Sequence, residues 1–120
     1  MSRRQQPEAQ LQRAIVQHYR ARAADGVFMF AVPNGGFRRK VEAAIFQATG
    51  TVAGVPDAIW VKGGQVYALE LKIAGGRPTE AQLATIAKME AAGAFCCIAD
   101  GLDRALAVLE AWGLLRGRAS

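Results

Sequence analysis

The chain has 120 residues, of which 52% are apolar, and a formal net charge of +5. That length suits one domain (residues 1–120), and that apolar fraction excludes a chain that is disordered throughout. No apolar run approaches the ~20 residues of a membrane span, and MSRRQQPEAQ lacks the apolar stretch of a signal peptide, so a cytoplasmic protein without membrane contact is expected.

The charge is unevenly placed. Residues 1–50 carry eight Lys/Arg (Arg3, Arg4, Arg13, Arg20, Arg22, Arg38, Arg39, Lys40) against Glu8, Asp25 and Glu42, whereas the remainder carries seven of each sign. The whole excess therefore lies in the first 50 residues, which suggests a phosphate-rich partner.

In chain order, Pro7 to Ala24 reads as a helix, with Leu11, Ile15, His18 and Arg22 along one side and Gly26 as its stop. His18, the single histidine, reads there as structural. VFMFAV (Val27–Val32) is a short strand closed by Pro33-Asn34-Gly35-Gly36. Arg38 to Thr49 reads as a helix with Val41, Ala44, Ile45 and Ala48 on its apolar face. A loop, Gly50 to Pro56, leads to strands Asp57–Lys62 and Gln65–Leu71, joined only by Gly63-Gly64. Arg77-Pro78 opens the next helix, where Thr79 and Gln82 have capping-box spacing and Gly93 suits the C-terminal stop near Ala92. AFCCIA reads as a buried strand by its continuous apolarity. Its neighbouring Cys96 and Cys97 face opposite ways, which disfavours a structural disulfide, and both read as buried thiols. Asp100 is placed to cap a last helix through Leu106, Leu109 and Trp112. The order α-β-α-β-β-α-β-α predicts an α/β fold with a mixed sheet flanked by helices, with residues 1–6 and 116–120 frayed.

A two-residue Gly-Gly loop sets a tight hairpin register in which paired residue numbers sum to 127. Extended by one pair past Ala58–Leu69, that register sets Asp57 opposite Glu70, with Lys72 on the same face as Glu70. Opposed carboxylates in a sheet repel unless a proton or a cation stands between them. A hard divalent cation such as Mg²⁺ suits the pair, with the main-chain carbonyl of Leu71 as a further ligand and Lys72 beside the reacting phosphate. The competing reading is a solvated strand face with an ordinary Glu-x-Lys charge pair.

The pattern Pro56-Asp57, twelve residues, then Glu70-Leu71-Lys72 resembles the PD-(D/E)xK nuclease signature. PEAQLQRAIVQHY, VPNGGFRR, GTVAGVPD and GGRPTEAQ, in that order, are similar to the VRR-NUC branch, in particular to its stand-alone phage and bacterial members. The likeness covers roughly residues 7–100. It implies a restriction-endonuclease-like core and a Mg²⁺- or Mn²⁺-dependent DNA endonuclease working through a metal-activated water, in a bacterial or phage-infected cell. On matching positions, Asp57 and Glu70 would be metal ligands and Lys72 the catalytic lysine. Glu8 would complete the metal site, although a first-turn acid on a helix dipole explains it as well. Gln82 would stand near the reaction as well as in its capping box. Asn34, Gly36, Arg38, Arg39 and Lys40 would contact DNA, although Asn34 and Gly36 also suit a plain turn and Arg39 and Lys40 a solvated surface. The resemblance further implies a homodimer and activity on branched DNA such as four-way junctions. No organic cofactor is expected, as no nucleotide-binding loop is present. The alternative from another class is a non-catalytic nucleic-acid-binding module on the same fold.

Overall fold

In the computed structural model, which describes residues 5–33 and 40–117, Gly63 and Gly64 both take positive φ, 57° and 78°. That is the backbone a type I′ hairpin turn requires at both central positions. The turn joins β2 (Ala58–Lys62) to β3 (Gln65–Lys72), and the ladder runs from Lys62↔Gln65 to Ala58↔Leu69, the register expected from the sequence. β1 (Val27–Ala31) pairs antiparallel with β2, and β4 (Phe95–Asp100) pairs parallel with β3. The sheet order is β1-β2-β3-β4. Among the described residues four helices complete the expected α-β-α-β-β-α-β-α order: α1 (Gln5–Arg22), α2 (Lys40–Ala48), α3 (Glu80–Ala91) and α4 (Leu102–Ala111).

Alternation along the strands divides the sheet into two faces. Ala58 and Trp60 of β2, Leu69 and Leu71 of β3 and Ala99 of β4 point to one face, where Ile15 of α1 and Ala105, Leu106 and Leu109 of α4 complete the core. Trp60, Leu69 and Leu109 are fully buried there. Glu70 and Lys72 point to the other face, toward α3. On the β1 side of that second face Phe28 and Phe30 remain exposed.

Several boundaries and environments differ from those the sequence suggests. α1 begins at Gln5 and ends at Arg22, so Gln5 and Gln6 are helical and the helix stops two residues before Ala24. The segment after α4 is tied down as far as Arg116, whose N–H donates to the Arg22 carbonyl at 2.7 Å, with Ala23 bridged to Leu115. β4 is an edge strand, so its apolar run is not uniformly buried: Phe95 is exposed and Cys96 and Cys97 are half-buried. Partial burial still pushes both thiols above their ordinary value. Asp100 does not cap α4. It ends β4 and its carboxylate binds Arg104 at 2.6 Å, while Gly101 occupies the cap position. The apolar face expected of α2 is not buried, since Val41 and Ile45 are exposed and α2 packs extensively on no other described element. Among the described residues no helix is long and apolar enough to cross a membrane.

Candidate active site

The β2–β3 ladder ends at Ala58↔Leu69, one pair short of Asp57. Asp57 follows the buried Pro56 in a bend rather than in the strand, so it is not the cross-strand partner of Glu70 that an extended register implies. Its side chain continues the sheet instead. Oδ2 accepts the N–H of Leu71 at 2.7 Å, the hydrogen bond that a further β2 residue would otherwise supply, while the Asp57 carbonyl accepts the N–H of Val32 at 2.8 Å. Asp57 is thereby bonded to the peptide that joins Glu70 to Leu71.

Glu70 is 2% exposed and Lys72 8%, unusual burial for charged side chains. Lys72 Nζ stands 3.5 Å from Glu70 Oε2, and Gln82 Nε2 donates to the same oxygen at 3.2 Å. Glu70 Oε1 is buried and has no hydrogen-bond donor among the described residues. Burial, and then the neighbouring Asp57 carboxylate, push Glu70 up from 4.5 to about 8 against the opposing pull of Lys72. At neutral pH Glu70 therefore favours its protonated form.

Gln82 serves two structures at once. Its Oε1 accepts the N–H of Thr79 at 2.8 Å, and its own N–H donates to Thr79 Oγ1 at 3.1 Å, closing the capping box. The amide oxygen being so engaged, the amide nitrogen is left to face Glu70. Thr79→Ala removes one arm of the box and is expected to cost about 1 kcal/mol of stability, read from a denaturant midpoint.

The donor set suits a hard cation. A buried carboxylate oxygen with no partner carries a desolvation cost that a divalent ion would remove. A strand residue directs its N–H and C=O to the same edge, so the Leu71 carbonyl points to the edge where Asp57 lies. Two carboxylates and a carbonyl match the sparse protein ligation typical of Mg²⁺. No group of three His, Cys, Asp or Glu side chains able to hold a metal forms among the described residues. Glu8 accordingly does not join Asp57 and Glu70. It lies in the first turn of α1, which packs on the opposite face of the sheet, where its carboxylate suits the helix dipole. Asn34, Gly36, Arg38 and Arg39 lie outside the described residues. Lys40 begins α2.

Two residues not singled out from the sequence bear on the site. Gly54, at φ +81°, lies against the backbone of Ala81 and Gln82, and Thr85 Oγ1 donates to the Ala53 carbonyl at 2.6 Å. The glycine-framed GTVAGVPD segment was the available signal for the first. Thr85 had none.

Two solved structures share this architecture. A VRR_NUC domain protein is 23% identical, with a TM-score of 0.73 over 88% of this chain and 86% of its own. A VRR_NUC domain is 16% identical, with a TM-score of 0.60 over 86% of this chain and 94% of its own. The chain thus has the fold of VRR_NUC nuclease domains, as the sequence resemblance implied. No protein-family model and no curated protein matches the sequence.

Proposed function

We propose that this chain, built on the VRR_NUC fold, is a Mg²⁺- or Mn²⁺-dependent DNA endonuclease that hydrolyses phosphodiester bonds. The observation that carries the reading is the buried Oε1 of Glu70, which has no partner among the described residues and is set beside Asp57 and Lys72. Most buried side-chain oxygens have a hydrogen-bond partner, so this one is placed to take a ligand. When bound, the cation would supply Lewis-acid polarisation of the phosphate and a lowered pKa for the attacking water.

The protein's own groups divide the remaining work. Asp57 and Glu70 hold the cation, and the Leu71 carbonyl supplies a neutral oxygen beside them. Gln82 fixes the rotamer of Glu70 through its bond to Oε2. Lys72 presents positive charge where the attacked phosphate gains negative charge, an effect strongest in a site with little water. The basic first 50 residues, with Asn34, Gly36, Arg38, Arg39 and Lys40 among them, carry the DNA backbone.

The reading includes a homodimer. Phe28 and Phe30 on β1, and Val41 and Ile45 on α2, are apolar and exposed, as side chains buried against a second copy would be. Two copies would supply one site for each strand of a branched junction. Light scattering should then give the mass of two chains, and a single-chain mass would remove this part.

The enzyme itself is tested with supercoiled plasmid and a synthetic four-way junction, each incubated with Mg²⁺ or with EDTA. Cleavage with Mg²⁺ and none with EDTA is expected. Salt-sensitive DNA binding without cleavage under Mg²⁺ or Mn²⁺ would overturn the reading in favour of a binding module.

A further inference from the structure

The loop before β2 and the first turns of α3 meet at Gly54. A Cβ built there would run into the carbonyl oxygen of Ala81 and stand 2.5 Å from its carbonyl carbon and 2.7 Å from the nitrogen of Gln82. Only a residue without a side chain permits that approach, and φ of +81° favours glycine independently. One helical turn further along, Thr85 is 8% exposed and its hydroxyl donates to the Ala53 carbonyl at 2.6 Å. The loop is thus held to α3 at two adjacent points, by contact at Gly54 and by a buried hydrogen bond at Ala53.

This junction is linked to both carboxylates of the site. Three residues after Gly54 comes Asp57, bonded to the Leu71 N–H. Gly54 packs against the Ala81–Gln82 peptide, and the side-chain amide of Gln82 holds Glu70 Oε2. We propose that Gly54 and Thr85 are positioning residues that seat the Asp57 loop on α3 and so fix the placement of Asp57 relative to Glu70. The inference rests on the metal-dependent reading above. It adds residues that touch neither metal nor substrate and act through Asp57 and Gln82.

The test compares the parent with Thr85→Val, which keeps the shape and loses the hydroxyl, and Thr85→Ser, which keeps the hydroxyl. Mn²⁺ affinity is measured by calorimetry, and kcat and KM on a plasmid or junction substrate are measured separately. Loss of a supporting contact around a metal site typically costs about 10–100-fold in affinity or activity. Thr85→Val is therefore expected to lose that much in Mn²⁺ affinity and kcat at an unchanged KM for DNA. Thr85→Ser should stay within a few-fold of the parent. Gly54→Ala should show the larger loss. If Thr85→Val remains folded and matches the parent in Mn²⁺ affinity and kcat, the seat has no positioning role. A parent that neither binds Mn²⁺ nor cleaves DNA would instead defeat the function proposed above, so the two failures are distinguishable.

Discussion

Asp57→Asn is expected to lower Mg²⁺-supported cleavage by about 10²–10³-fold while leaving the fold intact, on the scale seen when one electrostatic group of an active site is removed. The amide oxygen of Asn accepts the Leu71 N–H as the carboxylate does at 2.7 Å, so the sheet extension survives. What disappears is one negative charge from the cation cradle. Asp57→Ala removes the acceptor as well, stranding the Leu71 N–H, and should add about 1–3 kcal/mol of destabilisation to the same loss of activity. Initial rates measured beside thermal melts separate the two effects. A folded Asp57→Asn protein that cuts as fast as the parent would remove Asp57 from the mechanism.

Glu70→Gln should make the metal-free protein more stable at pH 8–9 and abolish its stabilisation by Mn²⁺. The Glu70 carboxyl is raised from 4.5 to about 8 in the native state, first by burial and then by Asp57. A raised folded value means the native state favours the protonated form. Its contribution to stability is complete below about pH 4.5 and is lost as pH rises through 8. Glutamine stays neutral throughout, so the advantage of Glu70→Gln in EDTA should grow across that window and level off above it. Each kcal/mol gained shifts a domain of this size by several degrees, roughly 2–8 °C. Excess Mn²⁺ at pH 8.5 should reverse the order, because a ligand that binds only the native state raises the melting temperature of the protein able to bind it. Equal melting curves for the two proteins in EDTA at pH 9 would mean that Glu70 is not under strain in the empty site.

Much of this architecture was legible because its signals are local. Gly63-Gly64 permits one turn geometry, that geometry fixes the register, and the register sends Glu70 and Lys72 to one face. Thr79 and Gln82 stand at capping-box spacing, and the box forms. Where the structure departs from the local signals, a tertiary contact, the lack of one, or a competing neighbour decides. The register could not show that the chain bends at Asp57 and lets a side chain replace a main-chain acceptor on Leu71. Continuous apolarity marked β4 as buried, but its place at the sheet edge leaves Phe95 exposed. The apolar stripe of α2 predicted a core face, yet no other described element covers it. Asp100 has the right type and spacing for a cap, yet Arg104, four residues on, takes its carboxylate. Gly54 is one of several loop glycines in the sequence. Only the approach of α3 from elsewhere in the chain shows why a side chain cannot stand there.

Asp57 and Glu70 are proposed to form a divalent-cation site. Diffraction from a crystal soaked in Mn²⁺, collected at the manganese absorption edge, tests it most directly. An anomalous peak is expected at bonding distance from oxygens of both carboxylates and from the Leu71 carbonyl, with Lys72 alongside. No anomalous peak between Asp57 and Glu70 at saturating Mn²⁺ and pH 8.5 would rule that site out.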